Sequence, residues 1–112
     1  MVIRGPTAER NKKMLTLPIK KKWFDLILSG EKREEYRKIS PYYTSRFQNL
    51  FHADTDAKEI CFRNGYSSTS PSFVAVCTLD IGKGKEEWGA EPGQIYYRLH
   101  VKRILDANNK YH

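Results

Sequence analysis

The chain has 112 residues, 39% apolar and 12% aromatic, which is enough for one small core and too much for a disordered segment. Lys and Arg number 20 against 13 Asp and Glu, and the formal charge of +7 favours polyanionic partners such as nucleic acid or nucleotides. No run approaches the ~18 apolar residues of a membrane span, the N-terminus has no signal-peptide pattern, and there is no Cys-x-x-Cys or His cluster, so the expectation is a cytoplasmic domain with no membrane, metal or cofactor.

In chain order, residues 1–13 are polar and basic around Gly5-Pro6 and read as a flexible arm ahead of a domain over 14–112. Residues 14–19 alternate, with Leu15, Leu17 and Ile19 on one face, and predict a strand. From Lys20 the period changes: Ile19, Trp23 and Ile27 share a helical face, and Gly30 fits the left-handed residue just past the helix end. Lys20, Lys21 and Lys22 oppose the dipole at the start of that helix. Residues 31–38 are densely charged, and composition alone does not mark them as a strand. Ser40-Pro41 opens a second helix over 41–51, with Tyr43, Phe47, Leu50 and Phe51 on one side.

Strands follow at 58–63, 73–81 and 94–105, separated by a turn at Asn64-Gly65 and a Gly-bounded loop over 82–93. The run 73–81 is an apolar run of strand length and predicts burial on both sides at its middle. The last strand alternates, placing Ile95, Tyr97, Leu99 and Val101 on one face and Tyr96, Arg98, His100 and Lys102 on the other. Cys61 and Cys77 lie inside apolar runs and read as small buried thiols. The expected core includes Leu15, Trp23, Ile27, Val74, Val76, Leu99 and Val101. An order of strand, helix, strand, helix and three strands predicts an α+β fold, a small mixed β-barrel with two short helices.

The chemistry concentrates in Ser29–Arg37. If the segment after Gly30 is extended, Glu35 and Arg37 share a face, and Lys32 sits near the turn where it can reach the same region. Arg offers a fork for phosphate or carboxylate, Lys a point charge or a desolvated base, and Glu an acceptor or proton carrier. The bland alternative is an edge strand laced with ion pairs. Tyr96 and Arg98 interleave an aromatic and a cation on one strand face, which suits base stacking and phosphate contact, and Trp88 could cover the site as a stacking lid.

The pattern Gly30-x-Lys32-x-x-Glu35-x-Arg37, behind a leading strand LTLPI and a short helix carrying Trp23, resembles the signature of the ASCH domain family. The resemblance covers residues 14–39. It implies a PUA-like barrel with the motif lining a cleft, and RNA, a nucleotide or a modified nucleoside as ligand. Gly30, Lys32, Glu35 and Arg37 carry over as ligand-binding positions, with Trp88, Tyr96 and Arg98 added from the residues themselves. One branch of the family hydrolyses N4-acetylcytidine through the motif Lys, a Thr three residues later and a downstream Glu. Here the Thr position holds Glu35, and Glu86, Glu87 and Glu91 are the downstream candidates. Three functions therefore stand open: an RNA- or nucleotide-binding domain, a nucleoside- or RNA-directed hydrolase with Lys32 and Glu35 as catalytic pair, and a protein-interaction module with a vestigial cleft.

Overall fold

The structure, a computed structural model, describes residues 14–107, with side chains described to residue 105. The arm expected over 1–13 and the end of the domain beyond 107 lie outside the described residues. The elements are β1 (Leu15–Pro18), α1 (Lys21–Leu28), β2 (Glu34–Arg37), α2 (Pro41–Leu50), β3 (Lys58–Arg63), β4 (Ser72–Lys83), a short 3-10 turn (Glu86–Trp88) and β5 (Ile95–Ala107). The strands form one mixed sheet in the order β1-β3-β4-β5-β2, curled into half a barrel, with β1 parallel to β3 and the other neighbours antiparallel. The fold is thus α+β, with two helices and a barrel-like sheet.

Each helix has a local cause. α1 buries Phe24 and Ile27, one turn apart. At its end Gly30 takes φ +89, and the Gly30 and Lys32 amides donate back to the carbonyls of Ile27 and Leu26. A left-handed glycine here reverses the chain at little steric cost and sends Lys32 back under the helix. α2 begins with Ser40 accepting from the Tyr43 amide and Pro41 in the first turn. It buries Phe47, which meets Tyr97 edge-on with ring centroids 5.1 Å apart.

The long β4–β5 pair sets the curl. Its register shifts between Val74 and Ala75 and between Val76 and Cys77, leaving Leu105 and Lys102 of β5 as extra residues without partners. Such bulges bend a strand and increase its twist. They also reset the alternation, so the simple in-out order expected along β5 holds from Tyr96 to Val101 and breaks at Lys102.

The core differs from the expected one in three places. β4 buries Phe73, Ala75 and Cys77, whereas Val74 and Val76 are half-buried on the opposite face. Val74 and Val76 share their face with Thr78 and Asp80, while Phe73 and Ala75 pair with Phe62 and Ile60 of β3. In α1 the fully buried aromatic is Phe24, which packs edge-on against Phe73, while Trp23 is only partly buried. Leu15, also expected in the core, is only partly buried at its margin because β1 is an edge strand. Cys61 and Cys77 are both buried and unpaired.

The face of β4 is testable by truncation. Phe73→Ala should cost about 3–5 kcal/mol and Val76→Ala about 1 kcal/mol in urea unfolding, and the reverse order would place the wrong face inside.

Candidate functional site

Lys32 is among the largest fully buried side chains of the described residues, with 1% of its surface exposed. Its ammonium has three protons, and three oxygens receive them. The Glu34 carbonyl lies at 2.6 Å, the Trp88 carbonyl at 2.9 Å and Glu35 Oε1 at 3.1 Å. The rings of Trp23 and Tyr36 lie 5.0 and 4.9 Å from the nitrogen and add cation–π attraction. β2 is an edge strand whose Glu35 and Arg37 face the core beside Leu99 and Tyr97, so the charges point inward where apolar residues would be expected.

Glu35 bridges the two cations. Its second oxygen accepts from Arg37 Nη2 at 2.7 Å and Nε at 3.1 Å. Arg37 also donates to the Pro18 carbonyl at the end of β1 and to the Tyr43 hydroxyl on α2. One carboxylate and two cations therefore join β1, β2, α2 and the 3-10 turn. Burial lowers the Lys32 pKa, and Glu35 opposes that shift. Burial acts downward on Arg37 as well, but Glu35 and the Tyr43 hydroxyl more than offset it and raise its pKa.

The acceptor count bears on the state of Lys32. A neutral amine has two protons and a lone pair, and the lone pair would face one of three oxygens. The ammonium suits this cage, since each of its protons has an acceptor.

The remaining motif and candidate residues fall in three places. Gly30 is exposed at the end of α1 and, with Lys32, lines a cavity of about 200 Å³ whose other walls include Ile27, Arg33, Lys102 and Arg103. Trp88 contributes its carbonyl to Lys32, and its half-buried ring lies under the Lys85 ammonium at 4.5 Å. Tyr96 and Arg98 belong to the opposite face of the sheet. Arg98 forks onto both oxygens of Asp80 at 2.8 Å and donates to the Lys83 carbonyl. Tyr96 packs against Tyr36 and accepts from the Glu91 amide. Their donors and rings fasten the segment between β4 and β5. His100 spans the same face, 2.9 Å from Asp80 and 3.4 Å from Glu34. Glu86, Glu87 and Glu91 are exposed, and none pairs with Lys32.

Sequence reasoning missed the cage around Lys32: the Trp23 and Tyr36 rings, two main-chain carbonyls, and the Tyr43 and Pro18 partners of Arg37. It also missed Arg33 and Arg103 as cavity residues, because the bulge at Lys102 has no sequence signature. A larger cavity of about 520 Å³, lined by Phe51, His52, Asp54, Leu79, Ile81 and Tyr97 among others, contains no motif residue. No family model matches the chain, and searches of curated proteins and of solved structures find no match.

The network has two consequences for stability. Lys32→Met leaves Glu35 paired with Arg37, whereas Glu35→Gln leaves two buried cations facing each other. Breaking a buried pair costs about 3–5 kcal/mol. Glu35→Gln is expected at the upper end and Lys32→Met below it, read from chemical denaturation at pH 7.

The second consequence concerns alkaline pH. Burial, with Glu35 nearby, pushes the Cys77 thiol from 9.0 up to about 12. The folded state keeps a proton that the unfolded state loses, so stability present below pH 9 is lost as pH rises from 9 toward 12. The Tyr36 hydroxyl, raised by burial and by Glu34, acts in the same direction from about pH 10. Cys77→Ala should flatten the decline between pH 9 and 10, where Tyr36 contributes little, and an unchanged slope would contradict the burial effect.

Proposed function

We propose that this chain is an RNA- or nucleotide-binding domain of the ASCH type, in which the Gly30, Lys32, Glu35 and Arg37 motif builds the binding face from within. The observation that carries the reading is the set of cations around the cavity at the end of α1. Arg33, Lys102 and Arg103 are exposed there, and none has an acidic partner among the described residues. Ile27, Leu28, Val101 and Ile104 supply apolar wall between them. Cations around an apolar hollow suit a base with its phosphates. At about 200 Å³ the cavity falls below the ~300–1,000 Å³ of pockets that enclose a whole drug-sized ligand, so it suits one group of a larger molecule.

The hydrolase reading has weaker support. The caged Lys32 ammonium is a poor base, and Glu35, in place of a hydroxyl, holds it charged.

Binding of a fluorescent single-stranded RNA should weaken steeply between about 50 and 200 mM salt, because each phosphate contact releases a counterion. Lys102→Ala and Arg103→Ala should each weaken binding without sequence preference and lower the salt slope by about 0.7 if each meets one phosphate of a single strand. The same preparation should not release acetate from N4-acetylcytidine. Absence of RNA or nucleotide binding at low salt would refute the proposal.

A further inference from the structure

Next to the motif the surface carries the protein's two tryptophans, each under a lysine. Trp23 lies in the first turn of α1 and Trp88 in the 3-10 turn, and both rings are partly exposed. The Lys22 ammonium lies 4.6 Å from the Trp23 ring and that of Lys85 4.5 Å from the Trp88 ring. Lys22 and Lys85 are exposed and form no ion pair among the described residues, whereas their neighbour Lys21 is paired with Asp25.

The two tryptophans are tied to one another through the interior. Lys32 holds the Trp88 carbonyl from below and faces the Trp23 ring. Gly89, at φ +101, lies so close that an added Cβ would stand 3.0 Å from the Trp23 ring. The backbone following Trp88 is therefore pressed against Trp23, which fixes the relation of the two side chains before any ligand arrives.

A lysine over an exposed ring is a weak and displaceable partner, and a stacked base contributes more. A displaced lysine stays within reach of a phosphate next to that base. α1 has no acidic residue in its first turn and begins with Lys20, Lys21 and Lys22, so the charge that opposes the helix dipole also marks a path for a polyanion. Glu86 and Glu87 begin the other turn and direct that path to the α1 side.

We infer that the Trp23–Trp88 surface stacks an unpaired base of single-stranded nucleic acid, with Lys22 and Lys85 meeting the flanking phosphates. The inference rests on the nucleic-acid-binding reading and narrows it to unpaired strands, since bases inside a duplex present no free face to a ring.

The test is tryptophan fluorescence of the full chain titrated with an RNA oligonucleotide of about ten nucleotides, the matching DNA strand and the RNA duplex. Both single strands should quench the fluorescence and the duplex should not. Quenching by RNA alone would confine the ligand to RNA. Trp88→Ala should weaken single-strand binding by roughly tenfold, Trp88→Phe should retain most of it, and both should leave duplex affinity unchanged, measured by anisotropy. The Trp88 bond to Lys32 is through the main chain, so the variant keeps the cage, and circular dichroism would verify the fold. Unaltered single-strand affinity in Trp88→Ala, with Arg103→Ala still impaired, would overturn the stacking site and leave the broader reading intact. No binding of any nucleic acid by the wild type would overturn both.

Discussion

An ammonium group removed from water loses its hydration, and the fold must supply an acceptor for each of its protons. For Lys32 those acceptors are a carbonyl and a carboxylate from neighbouring residues of β2 and a carbonyl from the 3-10 turn, 56 residues away along the chain. The attraction to Glu35 at 3.1 Å is on the order of 5 kcal/mol at an effective dielectric of ~20, and burying each ion costs several kcal/mol. The pair is therefore close to balanced, and the two carbonyls and two aromatic rings decide in favour of burial. Little net stability comes from such an arrangement. What it specifies is position: the Trp88 carbonyl must stand over the start of β2, or a proton of the ammonium goes without a partner.

The same logic explains how EEYR becomes a strand. Glu34 and Tyr36 face the open side of the sheet, and Glu35 and Arg37 face the core. On the open side the Tyr36 hydroxyl donates to Glu34 and accepts from the Lys85 amide, and Glu34 also faces His100. On the core side Glu35 and Arg37 are joined to Lys32, Pro18 and Tyr43. Both faces of this edge strand are charged, and on both local partners are joined by ones far away in sequence, Pro18 on the core side and Lys85 and His100 on the open side. An edge with inward charges also resists pairing with another strand.

That distance is why the motif could be read as a constellation but not as a cage. The end of α1 at Gly30, the Ser40-Pro41 start of α2 and the strands β3, β4 and β5 are local matters of period, capping and turn chemistry, and they were legible. The shared face of Glu35 and Arg37 follows from the two-residue period once β2 is extended. The phase of β4 was missed because the apolar stretch Phe73–Cys77 reads as buried on both sides, although Thr78 and Asp80 further along mark the face that carries Val74 and Val76. Nor was the role of Trp88: its ring drew attention as a lid, yet its closest tie to the motif is the main-chain carbonyl, a group every residue carries. Tyr96 and Arg98 had the composition of a binding face, and only the register that sets Asp80 opposite Arg98 reveals where the guanidinium is spent.

The cage also limits what any ligand can do at Lys32. The three acceptors differ in how readily they can leave. The Glu34 carbonyl belongs to β2 and cannot withdraw without breaking the edge of the sheet, and Glu35 is held in turn by Arg37. The Trp88 carbonyl belongs to a three-residue turn between two strands, outside the sheet pairing that holds Glu34. A ligand that engages the ammonium must therefore displace that carbonyl and offer an oxygen in its place, from a phosphate, a sugar hydroxyl or a base carbonyl. Displacement by an anionic oxygen would strengthen the hold on the proton and favour binding over proton transfer. A neutral oxygen would leave the cation no better stabilised, and the Trp88 turn would close again when the ligand left. On the binding reading proposed above, recognition of a negatively charged group and retention of the Lys32 proton would be the same event, and a Lys/Glu/Arg set that looks like acid–base machinery would serve to hold an anion.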